Sequence, residues 1–238
     1  MKLIKNAMIV VPEGHNGLIR NGYIRIDGNR IAEIDTMDKL TPEKQAGAEI
    51  IDAKGKIAIP GFVSTHSHLY SAVVRSLPHA GYDDVDFSFV SWMDRFWFKM
   101  LEDKVNPKDV YAGTLINCIE NIKHGYTTTS DTTEGSYALP GALFEAGRAA
   151  KESGIRGVMS FETTGRISPE NAKLGLKENI DFIEHCRKND PDGRIQGVIG
   201  VHTTYTCSGD LIQECRAEAT RLKAGLQMHL ADDRWHSF

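Results

Sequence analysis

"IPGFVSTHSHLYS", residues 59–71, is the stretch whose reading decides the fold. An apolar run leads through Pro60 and Gly61 to two histidines, His66 and His68, one residue apart. The run predicts a strand, "IAIPGFVSTH", ending in His66. Side chains in a strand repeat every two residues, so both imidazoles should project to one side. They fall at the carboxyl end of that strand, the end that carries the active site in parallel sheets and barrels.

Downstream, strand-like segments alternate with helical ones. Residues 85–124 read as mostly helical, with aromatic residues from Phe87 to Phe98. "GYTTTSD" predicts a strand ending near Asp131. "PGALFEAGRAAKESG" predicts a helix stopped by Gly154. "IRGVMSFET" is the third strand. Residues 169–189 form the next helix, with Ser168 as its cap and Pro169 at its first position. "RIQGVIGVHT" is a fourth strand ending in His202, "SGDLIQECRAEATRLKAG" a helix, and "LQMHLA" a fifth strand ending in His229. Such alternation means βαβ units and a parallel sheet, either open or part of a (β/α)₈ barrel.

Upstream, residues 1–57 read as short strands. "LIKNAMIVV", "GYIRIDGNRIAEID" and "EIIDAKGKIAI" alternate apolar and polar residues, and Asp27 and Gly28 followed by Asn29 mark a hairpin. Three short hairpins bury little alone, so this unit should pack on something else.

Composition narrows the function. The net charge of −4 and the lack of a basic block leave nothing to recommend a nucleic-acid partner. Cys118, Cys186, Cys207 and Cys215 form no C-x-x-C pair, and a reducing cytoplasm is the expected compartment. No apolar run approaches membrane-spanning length, and the first residues do not make a signal peptide. No Gly-rich phosphate loop follows any strand, which weighs against a doubly wound nucleotide-binding module. The H-x-E with P-C-x-x-C signature of the cytidine deaminases is absent.

Three predicted strands thus bring His66, His68, His202 and His229 to one rim. Neutral imidazole is the commonest side-chain metal ligand, and three histidines plus water make a catalytic zinc site. One H-x-H pair is a weak signal, and a lone His202 or His229 reads equally as a hydrogen-bonded core group; four at strand ends are harder to obtain by chance. Trp92 and Trp97 suit a flat ring or a helix core equally. Asp131 fits a supporting role or a helix cap, Arg75 a helix surface more readily than a substrate anchor, and "RSLPHAGYDDVDF" a loop over the pocket, with His79 in it.

"PGFVSTHSHLYSAVVRSL", "HGYTTTSD", "GVHTTYTCSGDLI" and "QMHLADD" together resemble successive signatures of the metal-dependent amidohydrolase superfamily. The similarity is to the branch holding cytosine, guanine and S-adenosylhomocysteine deaminases, triazine chlorohydrolases and SsnA-type aminohydrolases. It implies an incomplete (β/α)₈ TIM barrel of about five strands over residues 58–232, preceded by part of a β-sandwich over 1–57. It implies His66, His68 and His229 as ligands of one divalent metal ion, zinc first and iron second. It implies His202 as a substrate-facing catalytic residue and Asp232 as a proton shuttle, where the family usually has Glu. The substrate would be a small heterocyclic or amidine-like molecule, and the intact enzyme could be a homo-oligomer. The family's later ligands, a histidine on strand six and an aspartate on strand eight, have no counterpart here. The expectation is a truncated chain with a non-native or frameshifted tail at 233–238, able to hold metal yet lacking a base.

Overall fold

The computed structural model describes residues 1–12, 17–77 and 88–232. The tail, His15, His79, Phe87 and most of the expected pocket loop lie outside them. Two compact units result, Met1–Gly61 and Phe62–Phe238.

The first unit is a five-stranded sheet: β1 (Lys2–Val10), β2 (Leu18–Asp27), β3 (Arg30–Thr36), β4 (Glu49–Asp52) and β5 (Ile57–Ala58). Its order is β3–β2–β1–β4, with β5 also on β1. The turn joining β2 to β3 has two residues, and Gly28 supplies the positive φ (56°) that so tight a connection requires. Ala7 and Ile9, alternate residues of β1, form the core with Ile19 and Ile24 of β2, across a pairing whose register shifts twice. The third segment departs from expectation. It makes no hairpin: β4 and β5 both lie parallel to β1. A 3₁₀ turn (Met37–Lys39) and the short helix α1 (Pro42–Gln45) carry the chain from one edge of the sheet to the far side of β1.

The second unit contains six parallel strand segments: β6 (Phe62–Ser67), β7 (Tyr126–Thr133), β8 (Arg156–Thr163), β9 (Ile195–Gly197), β10 (Ile199–Val201) and β11 (Leu226–Met228). The order is β11–β10–β8–β7–β6, with β9 on β8, so β9 and β10 share one strand position and the sheet is five strands wide. Helices α2 (Phe89–Trp92), α3 (Pro107–Lys123), α4 (Ala142–Ser153), α5 (Pro169–Asn189) and α6 (Gly209–Leu222) connect them. Phe161 and Met159 on β8 pack with Leu143, Ala146 and Ala150 on α4 and Phe182 on α5.

The sheet curls into part of a barrel. Gln227 on β11 reaches over its concave side to β8 and β7: Nε2 donates to Ser160 Oγ and to the Asp131 carbonyl (3.2 Å), and Oε1 accepts from Ser130 Oγ (3.1 Å). Ser67 Oγ meets Thr129 Oγ1 and donates to the Ser130 carbonyl, both at 2.7 Å. Gly200 has a structural reason: a Cβ there would lie 2.3 Å from the Phe161 carbonyl oxygen, so only glycine lets β10 approach β8.

The local signals at 154 and 168 act as expected. Gly154 caps α4 with a φ of 88°, and the Ser168 side chain accepts from Asn171 N at the start of α5. Two expectations need correction. Ile57–His66 is not one strand: the chain breaks at residues 59–61, where Pro60 lacks a donor, and its two halves join different sheets. The helical stretch is also interrupted. α2 runs into a wider π-type segment, Met93–Glu102, and α3 starts afresh under a capping box of Asn106 and Asp109.

Candidate metal centre

The histidines of the site and two of its carboxylates stand at or just past the carboxyl end of a strand. His66 lies within β6 and His68 one residue beyond it. Thr132 is in β7 and Glu134 one residue past it; Glu162 is in β8. His202 follows β10 and His229 follows β11. Parallel pairing continues past the strands, because His229 N donates to the His202 carbonyl at 2.9 Å.

His66, His68 and His229 converge. Their ring centroids are 5.0–5.1 Å apart, and His68 Nε2 lies 3.2 Å from His229 Nε2. Two nitrogens on one tetrahedral zinc stand about 3.3 Å apart for bonds of about 2.0–2.1 Å. The donor set therefore fits one divalent ion. Burial first, and the neighbouring imidazoles with it, hold the His66 and His68 pKa values below the ordinary histidine value against the opposing pull of nearby carboxylates, and the neutral form is the one that ligates. The other nitrogen of His68, Nδ1, meets Thr132 Oγ1 at 3.2 Å.

His202 is buried. Its Nδ1 contacts Thr206 Oγ1 at 2.8 Å, and its Nε2 faces Glu162 Oε2 at 3.5 Å and Glu134 Oε1 at 3.7 Å. Burial pushes its pKa down to about 4, so it is neutral at pH 7. Glu162 in turn lies 3.4 Å from His229 Nδ1 and 3.8 Å from His68 Nδ1. Three imidazoles thus surround one buried carboxyl group.

Glu134 and Glu102 extend this floor. Glu134 Oε2 accepts from Trp97 Nε1 at 2.9 Å and from the Tyr70 hydroxyl. Glu102 Oε2 accepts from Arg166 at 3.1 Å, and Arg166 also binds Asp103 at 2.8 Å. Burial and then the Glu134 charge push the Glu102 and Glu162 carboxyls above the usual range. Burial opposes the charge of Glu134 as well, but hydrogen bonds from Glu162 and Glu102 outweigh it and keep Glu134 ionised. Asp131 is fully buried and raised to about 7 by that burial; it accepts from Leu69 N at 2.6 Å and from Thr133 Oγ1 at 3.0 Å.

Above these groups opens a cavity of about 330 Å³. The three converging histidines, His202, Glu134 and Asp232 reach it, and Phe89, Trp92 and Trp97 form an aromatic wall. All five sequence-predicted site residues therefore meet in one hollow: the three ligand candidates cluster, His202 lies deeper, and Asp232 stands exposed at the rim. Asp131 accepts from Leu69 N, the first residue of the 3₁₀ helix Leu69–Val74, and so braces the start of that turn after β6; Arg75 is exposed.

Sequence reasoning overlooked Glu102, Glu134, Glu162 and Arg166. One signal was available for Glu162. A glutamate inside the apolar strand "VMSFET" is out of place unless it is paired or coordinating.

Residues 57–237 match the Amidohydrolase family. Over 232 residues the chain is 35% identical to a 5'-deoxyadenosine deaminase of Methanobrevibacter smithii, covering 97% of this chain and 48% of that one. It is 32% identical to a 5-methylthioadenosine/S-adenosylhomocysteine deaminase of Pelotomaculum thermopropionicum, over 98% of this chain and 49% of the relative. The chain spans about half the length of the relatives it matches. Among solved structures it superposes on the zinc complex of atrazine chlorohydrolase from Arthrobacter aurescens TC1 with a TM-score of 0.74 at 18% identity, covering 97% and 53% of the two chains. Guanine deaminase from C. acetobutylicum with bound guanine gives a TM-score of 0.72 at 16% identity, covering 98% and 54%. These two likenesses support the barrel fold, while the matched span and the sequence identity to the deaminases carry the assignment: this chain belongs to the amidohydrolase family.

Proposed function

We propose that this chain carries the metal-binding part of an aminohydrolase that removes an amino group from a small heterocycle, an adenosine derivative or a related purine, in the cytoplasm. The convergence of His66, His68 and His229, with His68 Nε2 and His229 Nε2 3.2 Å apart, carries this reading. Zinc suits three imidazoles, and when bound it makes water acidic enough to provide hydroxide near neutral pH.

The chain's own residues would do the remaining work. The aromatic wall of Phe89, Trp92 and Trp97 gives a flat ring a surface to stack on. His202, neutral and held through Nδ1 by Thr206, offers its ring edge to the bound molecule and fixes its orientation. Asp232, at the rim, is placed to pass a proton to a ring nitrogen as general acid and base. The deaminase relatives support an amino group as the one that leaves.

The test is zinc content and ligand binding in the purified chain. His66→Ala/His68→Ala should lose one equivalent of zinc relative to the parent, and 5'-deoxyadenosine should quench tryptophan emission in the parent. Unchanged zinc content in the double variant would sink the reading.

A further inference from the structure

We propose a second divalent-cation site in the pocket floor, beside the histidine triad, formed by Glu102, Glu134 and Glu162 and completed by His202 Nε2 when no substrate engages that atom. The four come from different elements: the end of the π-type segment, the residue after β7, β8 itself, and the residue after β10. Donor atoms of Glu102, Glu134 and His202 all lie within 4.8 Å of one another. His202 Nε2 is 3.5 Å from Glu162 Oε2 and 3.7 Å from Glu134 Oε1. Ligands sharing one ion with bonds of about 2.0–2.2 Å sit about 3.0–3.6 Å apart, so small rotamer adjustments would bring these onto one ion.

The atoms left over point the same way. Glu134 Oε2 is held by Tyr70 and Trp97, Glu102 Oε2 by Arg166, and His202 Nδ1 by Thr206. The second atoms, Glu134 Oε1 and His202 Nε2, face each other at 3.7 Å. The Glu162 side chain is 1% exposed, and neither of its oxygens forms a well-directed hydrogen bond with a donor; Glu102 Oε1 is buried in the same condition. Buried carboxylates normally pair or coordinate a metal. Of the three carboxyl groups only Glu102 is paired with a guanidinium, Arg166, which Asp103 also shares. A dication would complete both the charge and the coordination. Oxygen-rich donors with one imidazole suit Zn²⁺, Mn²⁺ or Fe²⁺. The cavity gives the ion a route, since Glu134 and His202 line it.

The experiment is a zinc count by elemental analysis after chelator stripping and dialysis against Zn²⁺, on the whole 238-residue chain, with circular dichroism as the check on folding. The parent should hold two equivalents. Glu134→Gln/Glu162→Gln should hold one, retained by the histidines. His66→Ala/His68→Ala should also hold one, retained by the carboxylates. A parent with one equivalent, lost in the histidine variant and kept in the glutamine variant, overturns this site and leaves the triad intact. The reverse pattern supports it and removes the triad. If one variant fails to fold, the other decides: zinc retained by the histidine variant, or one equivalent lost from the glutamine variant, supports the site, and the opposite result overturns it.

Discussion

Glu33 on β3 and Glu162 on β8 are both strand glutamates surrounded by polar side chains, and their surroundings differ in one respect. Both oxygens of Glu33 are hydrogen-bonded. Its Oε1 accepts from the Tyr23 hydroxyl at 2.7 Å and Lys44 Nζ at 2.6 Å, and its Oε2 from Arg25 at 2.9 Å. Lys44, then Tyr23 and Arg25, hold its pKa down to about 2. Glu162 is more deeply buried, is pushed the other way by that burial, and meets imidazoles at 3.4–3.8 Å with no well-directed donor. A network that satisfies itself stabilises the fold; a buried one left open is kept for something that comes from outside.

The contrast can be broken by substitution. Glu162→Leu should raise the stability of the metal-free second unit by about 1–3 kcal/mol, because a buried ionisable group gives way to an apolar one of similar size. The same change should lower bound zinc. Urea unfolding in chelator, beside the zinc count, checks both; a large loss of stability would mean that Glu162 is structural after all. Tyr23→Phe should act oppositely, costing the first unit about 1–3 kcal/mol with zinc content unchanged, since it removes two hydrogen bonds, one to Glu33 and one from Lys44. Acid sharpens the comparison further. The folded pKa of Glu33, about 2, lies below its ordinary value of 4.5, so its contribution is whole above pH 4.5 and is lost as pH falls toward 2. The Glu33→Gln variant should lack that part of the acid transition in a pH-stepped melt. The smallest effect belongs to the surface: Arg148→Ala, which breaks exposed pairs with Glu145 and Glu152 on α4, should leave the melting temperature and the zinc content unchanged within error.

Much of this molecule was legible from local rules. The period of two in β1, the glycine at 28 and the caps at 154 and 168 act through near neighbours, which is why residues alone reveal them. The positions of His66, His68, His202 and His229 were legible because strand ends in a parallel sheet share a rim. What escaped was non-local. Nothing near Glu49 announces that β4 will cross to the far side of β1, and that placement depends on which edge is free. Glu134 and Glu102 gain meaning only when β7 and the segment before α3 come together over His202, 32 residues and more apart in sequence from one another. Glu162 carried its signal in plain view, a charge inside an apolar strand, but a signal of burial names no partner until the neighbours are in place.

The polar lining of the curled sheet has one more consequence. Ser67, Thr129, Ser130, Ser160 and Gln227 fasten strands β6, β7, β8 and β11 to one another across the concave side. Hydroxyls and amides hydrate readily, so water is an acceptable filling for this trough where an oily lining would demand a lid. The same groups are cross-links between distant rungs, so the curvature is locked by stitches from side to side as well as by the ladder itself. Such a trough should keep its bend when wet, and the histidines on its rim keep their spacing with it.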